Sequence, residues 1–218
     1  MALAIFDLDN TLIAGDSDHA WGDFLVHRGI VDQEDFKRVN DEFYQDYLKG
    51  QLDIFKYLGF ALSPLTQHPL EQLHQWRKEF VEESIRPLLL PKALELLRSH
   101  RDKGDYLLII TATNRFVTQP IADLLEVDEL IATEPEFINN RYTGKVSGTP
   151  SYQAGKVTRL REWLQHNPFD LSDAYFYSDS HNDIPLLEHV GNPVVVDGDE
   201  HLLQTARERG WEIMSLRP

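Results

Sequence analysis

The chain contains no cysteine, and that absence removes disulfide frameworks, thiolate zinc sites and cysteine nucleophiles together. A reducing compartment is compatible with it. It also lacks any apolar run approaching the roughly 20 residues that a helix needs to cross a bilayer. The opening run, Ala2 to Phe6, is cut off by Asp7 and has no basic leader, so it is too short and too acidic for a secretory signal. Positive charge is scarce: 21 Lys and Arg stand against 36 Asp and Glu, a formal net charge of −15. Such a field repels phosphate backbones and anionic lipid surfaces, so neither nucleic acid nor membrane is an expected partner. The cytoplasm is the expected location. There is no internal repeat and no low-complexity segment.

What remains is an ordinary globular composition, 42% hydrophobic and 26% charged over 218 residues. That length suits one core with a modest insertion. Ala2–Phe6 forms a short apolar run, as a parallel strand buried on both faces does. Tyr106–Ile110, ending at Thr111, reads the same way. So do Ala174–Tyr177, ending at Ser178 and Asp179, and Pro193–Val196, ending at Asp197. Helical patterns lie between them at Pro91–Lys103, Asn114–Leu125 and Ser151–Gln165. Strands alternating with helices predict a Rossmann-like α/β fold, a parallel sheet with helices on both faces. Glu136–Thr143, centred on Asn139 and Asn140, reads as a small hairpin beside that sheet.

Residues 16–86 differ, because they carry helical periodicity without a convincing strand. Phe36, Val39, Phe43 and Tyr47 share one helix face, as do Leu70, Leu73, Trp76 or Arg77, and Phe80. The plain reading of these aromatics is helix-on-helix packing. Gly29, Gly50 and the Ser63–Pro64 pair separate the helices. The expected organisation is a catalytic core of residues 1–15 plus 87–218, with residues 16–86 inserted as a helical cap.

Asp7, Leu8, Asp9, Asn10, Thr11 and Leu12 follow the first strand directly. Alternation along an extended segment sends Asp7 and Asp9 to the same side, where one can serve as a nucleophile and the other as a proton donor. Two anions so close repel unless a cation intervenes, so a hard divalent metal is expected there. The carboxyl ends of parallel strands are also where open α/β sheets bind ligands.

A hydrophobic strand ending in Asp-x-Asp-x-Thr-Leu resembles the first motif of the haloacid dehalogenase superfamily. Thr111, with Ala112, Thr113 and Asn114 leading into a helix, resembles the second; a cap formed by Thr113 or Asn114 is the plainer reading of that segment. Lys156, just after Gly155, resembles the third, with Lys145 a competitor in the hairpin region. Ser178, Asp179, Ser180, His181, Asn182 and Asp183 resemble the fourth, with Ser178 where Gly is common. His181 reads first as a loop residue. The motifs occur in family order, and a helical cap between the first two resembles the phosphoserine-phosphatase-like group, subfamily IB.

The resemblance implies a magnesium-dependent phosphomonoester hydrolase working through an aspartyl phosphate. Asp7 is the implied nucleophile and Asp9 the acid and base. Mg2+ is held by Asp7, the main-chain carbonyl of Asp9, and Asp179. Asp183 holds a metal-bound water or orients Lys156. Thr111, the Ala112 N–H and Lys156 are the implied phosphate-binding groups, and Asn182 is a further implied substrate-binding residue. In phosphoserine phosphatases a Glu stands nine residues after the nucleophile, and an Arg in the cap holds the substrate carboxylate. Here the first position is Asp16, and an alignment on Gly50 and Asp53 puts Ala61 at the second. An acidic Asp16 without that Arg suits a small phosphorylated metabolite bearing an amine, such as histidinol phosphate, phosphoethanolamine or phosphocholine. Phosphoserine hydrolysis, phosphoryl transfer to an alcohol acceptor, and a catalytically silent phosphate-binding protein are the alternatives.

Overall fold

The computed structural model describes residues 1–218. Seven strands form one sheet in the order β4-β3-β2-β1-β5-β6-β7. Their spans are β1 Leu3–Phe6, β2 Tyr106–Asn114, β3 Glu129–Ile138, β4 Arg141–Ser147, β5 Tyr175–Ser178, β6 Asn192–Val196 and β7 Glu212–Met214. All pairings are parallel except β3 with β4. The expected Rossmann-like arrangement is thus present.

β1 lies between β2 and β5, so successive crossovers leave it in opposite directions. This reversal opens a crevice at the carboxyl end of β1, the place where Asp7 emerges. Within β1 the side chains alternate between two apolar layers. Ala4 and Phe6 join a cluster that includes Ile109, Phe116 and, from the helical stretch after β1, Trp21, Leu73 and Phe80. Leu3 and Ile5 join another with Leu108, Ile110 and Phe176. Burial on both faces is why this strand carries no polar residue before Asp7. Fully burying a side chain such as Phe6 or Phe176 contributes roughly 1.5–3 kcal/mol.

Between β1 and β2 the chain is helical: α1 Ser17–His27, α2 Gln33–Leu48, α3 Ile54–Ala61, α4 Ser63–Gln67 and α5 Leu70–Phe80. Asp16, Asp32 and Asp53 cap α1, α2 and α3 with their carboxylates, as their position before each apolar pattern dictates. A π-turn at Val81–Ile85 and a 3₁₀ turn at Arg86–Leu88 return the chain to α6, Pro91–Asp102. The remaining helices are α7 Arg115–Leu125, α8 Ala154–Leu164, α9 Ile184–Leu187 and α10 Glu200–Arg209.

Pro120 lies inside α7 and has no N–H for the carbonyl of Phe116, four residues earlier. Arg77 of α5 supplies the missing donor, Nη1 to O at 3.0 Å, with its guanidinium 4.7 Å from the Phe116 ring centroid. A defect in a core helix thereby becomes an anchor for the helical insertion.

Two expectations about elements require correction. β2 does not stop at Thr111 but continues to Asn114, with a shift of register between Ile110 and Asn114. The supposed small hairpin is the tip of a longer one. β3 begins at Glu129 as a parallel strand of the main sheet and then pairs antiparallel with β4, turning at Asn139 and Asn140, both at positive φ. Pro135 disguised this strand; it is tolerated because the β3–β4 register is irregular there. Asp197 turns away from the crevice, and its Oδ2 accepts the Leu216 N–H at 2.9 Å.

Candidate active site

Asp7 is the first residue beyond β1, and its N–H donates to the Tyr177 carbonyl of β5 at 2.9 Å. That bond holds it at the switch point. Lys156, in the first turn of α8, reaches Asp7 Oδ1 at 2.6 Å and Asp183 Oδ2 at 2.8 Å. The Ser178 hydroxyl also donates to Asp183 Oδ2, at 2.7 Å. Asp183 is therefore placed to orient the ammonium. α8 can approach this closely because residue 155 is glycine: a Cβ there would lie 2.1 Å from the Pro150 carbonyl oxygen. Lys145 lies exposed on β4, so the structure favours Lys156 of the two lysines.

Asp9 is also buried. Its Oδ2 accepts the Thr113 hydroxyl at 2.8 Å and lies 3.5 Å from the Thr111 hydroxyl, while Oδ1 accepts the Ser17 N–H at 2.6 Å. The core and the first turn of α1 thus both grip this carboxyl. Thr111, Ala112 and Thr113 stand where β2 slips register, which frees them from the regular ladder and turns them toward the crevice. Asp179 Oδ1 accepts the Thr11 hydroxyl at 3.1 Å.

Burial dominates the proton affinities. It lifts Asp7 to about 7 against the pull of Lys156, with Asp183 and Asp9 adding to the rise. It lifts Asp9 to about 7, Asp16 adding repulsion. Asp179 is pushed well above the usual range by burial and by the neighbouring Asp7 and Asp183 charges. Burial alone would depress Lys156, but Asp183 and Asp7 outweigh it and hold the ammonium protonated. A carboxyl titrating near neutrality, as Asp9 does, is matched to giving and taking a proton.

These directions set a pH dependence of stability. Asp7, Asp9 and Asp18 are raised to about 7 and Asp16 to about 6, above the ordinary 3.8. Between those limits the folded chain holds more protons than the unfolded chain, so stability falls as pH rises. Thermal melts of chelated protein should therefore show a lower Tm at pH 7.5 than at pH 5. A Tm that rises over that interval would refute this charge balance.

The donor set fits a hard divalent cation. Asp7 and Asp183 share the Lys156 ammonium, Asp179 stands near enough for their charges to raise its proton affinity, and Lys156 is the only cationic side chain paired with any of the three. Oxygen donors with excess negative charge are what Mg2+ selects.

Above Asp7 and Asp9 lies a small cavity of about 40 Å³, roofed by α1, α2 and α3. Asp16 reaches its wall, but its Oδ1 accepts the N–H groups of Asp18 and His19 at 3.0 and 2.8 Å as the α1 cap. Ala61 does not line the cavity, so its position says nothing about a carboxylate partner. Asn182 is tied up elsewhere: its amide nitrogen donates to the Tyr47 carbonyl, and its oxygen accepts from Tyr152 and Gln153. It joins the catalytic loop to the end of α2 instead of facing the crevice. His181, bonded to Asp199 through Nδ1 at 2.7 Å, was expected in a loop but opens a short 3₁₀ turn, His181–Asp183.

Sequence reasoning missed Thr113, Asp18 and Tyr57. Asp18 Oδ2 accepts the Tyr57 hydroxyl at 2.6 Å, and its Oδ1 accepts the Asn114 amide at 3.1 Å. The only available signal was Asp18 in the first turn of a helix, where acidic residues are common for other reasons. Phe43 and Tyr47, read as packing residues, also line the cavity.

Comparison with known proteins gives this geometry a lineage. Residues 4–188 match the model of the haloacid dehalogenase-like hydrolase family. The chain belongs to that family. It is 43% identical to a histidinol-phosphatase of Neisseria meningitidis serogroup C (strain 8013), over 99% of each chain. A protein of Bordetella pertussis Tohama I has the same structure at TM-score 0.93, with 42% identity and coverage of 99% of this chain and 98% of that one. A substrate-bound phosphoserine phosphatase shares the fold at TM-score 0.71 and 17% identity, over 93% and 89% of the two chains. This chain is a phosphatase.

Proposed function

We propose that the protein is a Mg2+-dependent hydrolase of a small amine-bearing phosphomonoester, with histidinol phosphate the foremost candidate. The observation that carries the reading is the composition of the cavity wall. Asp16 and Asp18 stand beyond the catalytic pair, aromatic rings fill much of the remainder, and no Lys or Arg is present. A substrate carboxylate finds no bidentate partner there. An ammonium and a flat imidazole find carboxylates and ring faces. The relative from Neisseria meningitidis bears the name histidinol-phosphatase, which agrees with this choice.

In the proposed reaction an Asp7 oxygen attacks phosphorus in line and the ester P–O bond breaks. Asp9 gives its proton to the departing alkoxide. Asp9 then takes a proton from water as that water displaces Asp7 from phosphorus, restoring both residues. Lys156 balances charge on Asp7 and on the phosphoryl oxygens, while the Thr111 hydroxyl and the Ala112 N–H orient the group. Asp7, the Asp9 main chain and Asp179, with Asp183 behind them, would hold Mg2+, which supplies charge neutralisation of the phosphoryl group. Residues 16–86 form the cap that excludes water and selects the alcohol, over a core of residues 1–15 and 87–218. A metabolite phosphatase of this kind belongs in the cytoplasm.

Specificity constants for histidinol phosphate, phosphoserine and an aryl phosphate test the substrate assignment. Histidinol phosphate should exceed phosphoserine by about tenfold or more, the worth of one charge-assisted contact. A higher kcat/KM for phosphoserine than for every amine ester lacking a carboxylate would overturn the substrate and leave the phosphatase class intact.

A further inference from the structure

We propose that Asp18, steadied by Tyr57 and Asn114, is the specificity-determining carboxylate that binds the ammonium of the leaving alcohol. The inference rests on the amine-bearing substrate proposed above and assigns its recognition to a particular group.

Asp18 lines the cavity, yet only 6% of it is exposed. Both its oxygens are held by neutral donors, the Tyr57 hydroxyl at 2.6 Å and the Asn114 amide at 3.1 Å. No Lys, Arg or His pairs with it, although most exposed carboxylates nearby on α1 and α2 have such partners. A buried carboxylate without a cation is costly, and the cost is relieved when a ligand brings one. His19, the one lining side chain able to carry positive charge, turns to Asp23 and Asp41 at 3.6 and 3.5 Å.

Asp16 suits the task less well. It is more exposed than Asp18, so its charge is better hydrated and gains less from a bound cation, and its Oδ1 serves as the cap of α1. Asp18 also stands beside the rings that would flank a cation: Tyr57 touches it directly, and Phe43 packs edge-on against Tyr57 at 5.4 Å between centroids.

The arrangement has a consequence for closure. Asp18 comes from α1, Tyr57 from α3, and Asn114 from the end of β2, where it also caps α7 through the Val117 N–H at 3.2 Å. The carboxylate is fully oriented only when the helical insertion sits on the core. An ammonium bound to it favours that closed arrangement, so recognition of the alcohol and assembly of the site are one event.

The test compares kcat/KM for histidinol phosphate with that for imidazolylpropyl phosphate, the same ester without the amine. In the unmodified enzyme the ratio should be about tenfold or more in favour of the amine. Asp18→Asn should bring it close to unity, while Asp16→Asn should change it less. A wild-type ratio near one would sink the amine-bearing substrate itself. A high wild-type ratio that survives in folded Asp18→Asn would overturn the role of Asp18 and leave that substrate standing. Circular dichroism and a thermal melt check the fold. Should Asp18→Asn not fold, Tyr57→Phe keeps the charge but removes its orienting hydroxyl, and the ratio should fall about threefold or more. An unchanged ratio in folded Tyr57→Phe would equally overturn the proposal.

Discussion

Asp7→Asn should give a folded protein whose phosphate release falls by at least about 10³-fold, because an amide has no nucleophilic oxyanion with which to open the phosphoester. The fold should survive for a reason visible around the residue. Lys156 keeps its second partner, Asp183, at 2.8 Å, and the exchange removes a carboxylate whose burial already drives its pKa to about 7. Tm in metal-free buffer should therefore be unchanged or higher. Asp9→Asn should lose activity severely as well, since Thr113 and the Ser17 N–H would then hold a group unable to donate a catalytic proton. Inorganic phosphate release beside a thermal melt separates the effects. Substantial turnover by well-folded Asp7→Asn would eliminate the aspartyl-phosphate route.

Exhaustive chelation should stop turnover, and added Mg2+ should restore it. Burial and mutual repulsion raise the proton affinities of Asp7, Asp9 and Asp179, and Lys156 is the one ammonium paired among these carboxylates and Asp183. A protonated Asp7 is a poor nucleophile. A divalent cation favours the ionised form, so Mg2+ should also raise Tm, and by more at pH 7.5 than at pH 5. Calcium should inhibit: it accepts more ligands and longer distances, and can draw both oxygens of Asp7 away from the line of attack. Colorimetric phosphate assays across a metal series decide the matter. Undiminished activity after chelation would exclude the metal-dependent arrangement.

Much of the catalytic end was legible because its signals are local. A two-sided apolar strand must end where its polar residues begin, so Ala2–Phe6 announced Asp7 as the first group outside the sheet. Lys156 could be placed because it falls where the third motif of the resemblance requires a Lys; that Gly155 lets α8 pass close to Pro150 came only with the structure. β3 was hidden because Pro135 interrupts its pattern, and three-residue β7 is too short to show a period.

The sequence by itself determined the α/β class and the helical insertion between β1 and β2, and it singled out Asp7, Asp9, Thr111, Lys156 and Asp179 as candidates, for strand alternation and the order of the motifs are properties of short segments. The tertiary structure alone decided what the cavity wall contains. Asp18, Tyr57 and Asn114 are 39 to 96 positions apart along the chain and meet only when α1 and α3 settle against β2. It also removed Ala61 from the wall and turned Asn182 toward Tyr47. No local pattern encodes such meetings, because they follow from how helices cross and from which side chains fill the space between them.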